Sequence, residues 1–508
     1  MKRSITFSFF ICSLLLNVKA NAQTDPRIVR FDSLFRYFDS NKLFNGTVIL
    51  LEKGKLIYNR SAGFAVMENK TPNTDTTLVN VASVSKIFTA IAILQLREKK
   101  KLDLEDPVAR FLPGFPYPGV KIRHLLSHTA GITRLEDFEK AYIEANPREI
   151  LTNEKVYQHL LERKDTLQTV PGSKFVYNNL NYVLLAMIVE KVSKRPFNEY
   201  MRKKVFEPSG MKKTYVRHPL QPNTPRYMIP ALYRQDYVHV DSLHPLIYST
   251  YYHLGGLQGP GNIVTTAQDL VDFDKALTAG KLLSRESLQR AIQPGVLNDG
   301  SLLTLGNSKR FYGMGWNITH DQRGDTNVFH DGSIPGVVAI YLRNLSENQV
   351  LIYYENAATP SFPQKVSAFL SILNNATPGQ ILKTGNKKSV AKEYVKVLME
   401  KGPDLAALSL MELRADTANY FLNELELNSL GYDLHFKGDF KGHNDMALEV
   451  MKLITILYNS ANSYDSYGDV LMNTGRREEA IRAYKRSLLL NPGNQNAIKN
   501  LAKLQSGD

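Results

Sequence analysis

Ser83-Val84-Ser85-Lys86 opens the apolar run Ile87-Phe88-Thr89-Ala90-Ile91-Ala92-Ile93-Leu94. The spacing puts a hydroxyl at the mouth of a buried helix and an amine one turn further in, because residues three apart share a helix face. A serine hydroxyl is a weak nucleophile until a neighbouring base takes its proton, and a buried lysine can be kept neutral enough to be that base. The N-terminal end of the helix adds backbone N–H groups and a positive dipole end, which favour a developing oxyanion. The stretch predicts an acyl-transfer nucleophile at Ser83, with Lys86 as its activating amine.

The same S-x-x-K pattern recurs at Ser209/Lys212 and Ser389/Lys392, and Ser209 is followed in order by Tyr354-Glu355-Asn356 and Lys383-Thr384-Gly385. Context separates the copies. Pro208 and Gly210 flank Ser209, which is a turn signature rather than the start of an apolar helix. Tyr354 ends the run Val350-Leu351-Ile352-Tyr353-Tyr354, a buried-strand pattern. Lys383 falls in the polar, turn-rich stretch 377–388, which reads as a linker.

Outward from the tetrad, Ile28, Phe31, Leu34, Phe35 and Phe38 predict an amphipathic first helix. The runs 46–51 and 55–58 flank Glu52-Lys53-Gly54 as a hairpin, and helices fill about 120–207. A second hairpin joins 337–342 to 349–354 around Ser346-Glu347-Asn348, and a helix over 362–373 closes the region. Strands at both ends with helices between them predict one α/β (α+β) domain over 23–376, its sheet built from both termini. After the linker, 389–508 reads as all helical. Tyr464, Tyr467-Gly468, Leu471, Gly475, Ala480, Tyr484, Ser487 and Pro492 fall on a 34-residue tetratricopeptide pattern. Leu430-Gly431, Leu434, Gly438 and Ala447 form an earlier, looser unit. Such stacks bind peptides or proteins, so a protein partner is expected there.

Lys2 and Arg3, an apolar run from about residue 5 to 18, and Ala20-Asn21-Ala22 have the layout of a secretory signal over 1–22. That run is too short for a comfortable membrane span, and the expected location is periplasmic or secreted. The one cysteine, Cys12, lies inside the signal, so the mature chain would have no disulfide, thiol catalysis or cysteine-ligated metal. The formal net charge of +14 falls to +11 without Lys2, Arg3 and Lys19. Basic residues are scattered, with one short cluster at Lys99-Lys100-Lys101 and no stripe interleaved with aromatics, so no nucleic-acid partner is expected.

Two further segments fit the Ser83 chemistry. In Pro171-Gly172-Ser173-Lys174-Phe175-Val176-Tyr177-Asn178-Asn179, a tyrosine held near amines can lose a proton or pass one, and Asn179 can bond Lys86 or a substrate amide. In His330-Asp331-Gly332-Ser333-Ile334-Pro335-Gly336, read as a loop feeding a strand at Val337, small residues let a substrate backbone approach, and an N–H there can complete an oxyanion hole. Gly255-Gly256-Leu257 reads as a tight turn lining a pocket. His124 and His128, four apart on a predicted helix face, lack the internal glutamate and third ligand of a zinc site and read as structural. No glycine-rich phosphate loop follows a strand, so neither metal nor nucleotide cofactor is expected.

These segments, with Ile122-Arg123-His124-Leu125-Leu126-Ser127-His128-Thr129-Ala130-Gly131 and Gly210-Met211 with Thr214, occur in the order seen in one family. The chain resembles the class C β-lactamase-like serine hydrolases, which include penicillin-binding proteins, D-amino-acid peptidases and esterases. The resemblance implies a β-lactamase/transpeptidase-like domain, an antiparallel sheet flanked by helices, followed by a tetratricopeptide-like domain. It makes Ser83 the acylated nucleophile, Lys86 its activating amine, Tyr177 the base that also serves deacylation, and Asn179 a substrate and lysine contact. The backbone N–H groups of Ser83 and Ser333, beside Gly332, would form the oxyanion hole. His330 stands where many members carry the lysine of K-T-G. A neutral imidazole grips a carboxylate less well than an amine, which tilts the expected substrate towards an ester, amide or D-peptide. The alternatives are a peptidoglycan D,D-carboxypeptidase or weak β-lactamase, and a non-catalytic sensor recruiting partners through its helical repeats. Tyr227, Tyr233, Tyr237, Tyr248, Tyr251 and Tyr252 form a tyrosine-rich segment expected near the pocket.

Overall fold

Apolar side chains occupy both faces of the central strands, so the sheet must be covered twice. The computed structural model describes residues 25–40, 43–66, 69–146, 149–163, 165–217, 233–234, 242–243, 254–305, 309–321, 323–334, 336–356, 362–378, 387–436 and 443–506. The expected signal with Cys12, and also Tyr227, Tyr237, Tyr248, Tyr251, Tyr252, Pro335, Lys383-Thr384-Gly385 and Gly438, lie outside these residues.

Helix α1 (Arg27–Ser40) leads into strands β1 (Gly46–Glu52) and β2 (Lys55–Ala62). Helices α2 (Ser85–Glu98), α3 (Glu136–Ala145) and α4 (Asn179–Ser193) follow. Strands β3 (Arg310–Tyr312), β4 (Asn317–His320), β5 (Thr326–Ile334), β6 (Val337–Asn344) and β7 (Gln349–Glu355) then precede helix α5 (Phe362–Leu373). The seven strands form one antiparallel sheet in the order β3-β4-β5-β6-β7-β1-β2, so the first hairpin joins the last strand of the run. Pairing of Ile49 with Ile352 and of Ile340 with Tyr353 fixes the register.

Because strand side chains alternate, a one-residue slip would exchange the two faces. Val48, Leu50, Ile340, Leu342, Leu351 and Tyr353 pack on α1 and α5 through Phe31, Phe38 and Phe369. Ile49, Leu51, Ala339, Tyr341, Ile352 and Tyr354 face a larger core containing α2 and α4. Helix α2 is buried at every position from Ser85 to Leu96, as an all-round apolar helix must be.

Strand β5 positions the site. β4 pairs only with its first four residues, from His320 opposite Thr326 to Asn317 opposite Phe329. From His330 to Ile334 it keeps β6 on one side, and its other edge meets the turn Ala82–Val84. A Cβ on Gly332 would run into Val81 O and come 3.0 Å from Ser83 N, so only glycine allows this approach. The expected loop at His330 is therefore strand, which runs on to Ile334.

The other decoys resolve locally. The helix carrying His124 is Ile122–Leu126, too short to include His128, whose backbone is left-handed at φ 57°. The two histidines do not share a helix face. Ser209 Oγ donates to Val205 O at 2.6 Å inside a helical turn. Ser389 caps the helix Val390–Lys401 by accepting Lys392 N–H, and donates to Glu426 at 2.7 Å. Beyond α5 the described chain is a run of helices with its own core, including Leu398, Leu430, Leu434, Met451, Ile454 and Tyr484. A short parallel pairing of Lys388–Ser389 with Tyr420–Phe421 is a small exception to its helical character. Gly431 sits against Met451 and Gly468 against the Tyr484 ring, where a Cβ would come within 2.7 Å. None of the described helices is long and apolar enough to cross a membrane.

Candidate active site

The turn before α2 is held from behind. Asn80 Oδ1 accepts Ala82 N–H at 2.9 Å, and Ala82 takes a left-handed φ of 47°, an uncommon state for a residue with a Cβ. Ser83 follows on this turn, and Ser85 Oγ accepts Ile263 N–H at 3.2 Å, tying the start of α2 to its neighbour.

Lys86 is wholly buried, and its amine points back at Ser83. Nζ donates to Ser83 Oγ at 3.0 Å, Asn179 Oδ1 at 2.8 Å and Pro260 O at 2.9 Å. An ammonium has three N–H donors, so these three acceptors define its direction completely. Burial lowers its pKa from 10.5 to about 7, against the opposing charges of Glu136 and Asp331. Nζ also lies 4.9 Å from the ring centre of Tyr177 and 5.6 Å from that of Tyr182.

Burial pushes the Tyr177 phenol above its ordinary range, with the neighbouring Ser83 hydroxyl acting in the opposite direction. Its ring packs on His128 with centroids 4.4 Å apart. Asn178 caps α4 by accepting Leu180 N–H, which places Asn179 in the first turn facing Lys86. The other end of the Asn179 amide donates to Glu136 Oε1 at 2.8 Å.

His330 is 2% exposed and does not line the cleft. Its Nδ1–H donates to Asp331 O at 2.7 Å, leaving Nε2 to accept the Tyr312 hydroxyl at 3.1 Å. Burial, reinforced by Lys86, lowers its pKa to about 4, so the ring is neutral at neutral pH. A cleft of about 260 Å³ opens at Ser83, with Asn179, Ser333, Glu136, Glu139 and Arg217 among its lining residues. Ser83, Lys86, Tyr177 and Asn179 thus come together, with Gly332 and Ser333 on the adjoining strand edge and His330 beneath it. Among the described residues, no group of three His, Cys, Asp or Glu side chains is placed to hold a metal ion.

Reasoning from sequence missed Pro260, Glu136, Glu139, His128 as a packing partner of Tyr177, and Tyr312. Pro260 contributes only a carbonyl, which has no side-chain signature. Glu136 carried one weak signal, an acid at a helix start, where it suits the dipole.

The sequence model of the Beta-lactamase family matches residues 29–371. The chain belongs to the Beta-lactamase family. Its match ends before the C-terminal helices. Among relatives of this Beta-lactamase family member, Penicillin-binding protein 4* of Bacillus subtilis (strain 168) is 34% identical over 329 residues, covering 64% of this chain and 70% of that protein. The structure of a penicillin binding protein from Bacillus halodurans superposes with a TM-score of 0.57 at 26% identity, over 67% of this chain and 98% of the other. D-amino acid amidase from Ochrobactrum anthropi SV3 shares the fold, with a TM-score of 0.57 at 23% identity, over 68% of this chain and 98% of the other. The chain is a serine hydrolase of the β-lactamase and penicillin-binding-protein superfamily.

Proposed function

We propose that this is an exported hydrolase that works through a Ser83 acyl-enzyme on an ester or amide substrate, D-peptides included. One observation carries the reading: a buried amine with pKa about 7 directed at a serine hydroxyl 3.0 Å away. Neutral Lys86 takes the Ser83 proton as Oγ attacks the substrate carbonyl carbon. The N–H groups of Ser83 and Ser333 receive the oxyanion. Tyr177, protonated at neutral pH, passes its proton to the leaving oxygen or nitrogen and regains one from the Lys86 ammonium. The carbonyl–leaving-group bond breaks, leaving the acyl group on Oγ. Water, deprotonated through the same amine, then attacks the ester, and the acid departs as Ser83 regains its proton. This assigns the base role to Lys86 rather than to Tyr177, because burial favours the neutral form of both groups.

The neutral, buried His330 supplies no cation for a substrate carboxylate, which supports an ester or amide over a β-lactam. The fold shared with D-amino acid amidase agrees with an amide. A second reading, peptidoglycan D,D-carboxypeptidase or weak β-lactamase activity, draws on the identity to Penicillin-binding protein 4* and on Arg217 in the cleft. The 1–22 segment supports export. The close packing at Gly431 and Gly468 supports a tetratricopeptide-like unit over 389–508 that docks a peptide or protein, after a hydrolase domain over 23–376.

The pH dependence of kcat/KM on p-nitrophenyl acetate tests the base assignment. The rate should rise about tenfold per unit below pH 7 and level off above it as Lys86 loses its proton. A flat profile from pH 5 to pH 8 would exclude Lys86 as the base.

A further inference from the structure

Asn179 can serve Lys86 in only one of its two amide orientations. The oxygen must face Nζ, because an NH₂ group there would offer a donor to a donor. Nothing in the backbone of α4 distinguishes the two orientations, since the amide ends have the same shape. Glu136 does distinguish them. Its Oε1 accepts from Asn179 Nδ2 at 2.8 Å, and the flipped amide would set oxygen against carboxylate. The chain Glu136–Asn179–Lys86–Ser83 is continuous, with steps of 2.8, 2.8 and 3.0 Å.

We propose that Glu136 is a positioning residue, which through Asn179 fixes the amide oxygen towards Lys86 and keeps Nζ aimed at Ser83 Oγ. The proposal rests on the Ser83 acyl-enzyme reading and adds a residue to its machinery. Glu136 also acts by charge, favouring the protonated form of Lys86. Several groups share that field. Around Lys86 stand Tyr177, Tyr182, His128, His330 and Asp331, the last paired with Arg310 at 3.1 Å. Around Glu136 stand Arg134, 3.4 Å from Oε2, and Glu139 one turn along α3. Burial and the charge of Glu136 raise Glu139 to about 7.

The test uses the full chain, p-nitrophenyl acetate, and the variants Glu136→Gln and Glu136→Ala, each measured from pH 5 to pH 9. The glutamine keeps an oxygen for Asn179 but loses the charge. Its kcat should fall only a few-fold, while the acid limb moves to lower pH by roughly half a unit or more. The alanine variant loses both effects, so kcat should fall about tenfold or more with KM nearly constant, and the limb should move the same way. Wild-type kcat and limb in both variants would overturn the proposal. So would equal losses in both variants with no displaced limb, the signature of a merely structural residue. If Glu136→Ala fails to fold, Glu136→Met, which keeps most of the side-chain volume and removes the acceptor, replaces it in the kcat comparison with Glu136→Gln. Failure of the underlying reading is distinct, because wild-type hydrolysis would then survive Ser83→Ala.

Discussion

Replacing Lys86 by methionine is expected to lower kcat/KM for an activated ester by about a thousandfold or more, with the protein still folded. Methionine has similar length and no charge, so it fills the buried slot beside Ser83 without a large volume change. What disappears is the base, together with its bonds to Ser83, Asn179 and Pro260. The stability effect should depend on pH in a defined sense. Lys86 titrates near 7 in the folded protein and near 10.5 when exposed, so the unfolded chain binds more protons between these values. Wild-type stability therefore gains from Lys86 as pH rises from about 7 towards 10.5, and the buried amine costs most at and below pH 7. The melting temperature of Lys86→Met relative to wild type should be more favourable at pH 6 than at pH 9.5. Steady-state kinetics and thermal melts at both pH values check the two halves. A variant retaining rates within tenfold of wild type would remove Lys86 from the chemistry.

Gly332→Ala is the second large effect, and it needs no change in any polar group. The added methyl would meet Val81 O and crowd Ser83 N and the Ala82 Cβ at 3.0 and 3.1 Å. These contacts are dominated by backbone, which cannot rotate aside, so the free edge of β5 and the nucleophile turn must separate. Misplacement on the order of 1 Å at a reacting centre costs about a hundredfold. The strain should also cost about 1–3 kcal/mol of stability. Ester hydrolysis and urea unfolding measure the two consequences. Wild-type kcat/KM in Gly332→Ala would show that Ser83 does not need β5 where it stands.

Legibility in the sequence followed the range of the interactions. The Ser83–Lys86 pair is one helical turn long and is followed by an apolar run, so local periodicity suffices to mark it. The hairpin of β1 and β2 and helix α1 were equally local. Strand β5 was not, because His330-Asp331-Gly332-Ser333 lacks alternation and is held extended by pairing with β6. The histidine pair misled for a related reason. A spacing of four suggests a helix, but the chain turns left-handed at His128 and again at Gly131, with φ of 57° and 70°. Glu136 has the same sequence signature as a solvated helix face, and only its bond to Asn179 sets it apart.

Treatment of the purified protein with a fluorophosphonate, followed by peptide mass spectrometry, tests the central claim most directly. The predicted result is a single phosphonyl adduct on Ser83, absent from Ser83→Ala. An adduct on Ser209 or Ser389 instead, or an unlabelled Ser83 in protein that still hydrolyses esters, would contradict it.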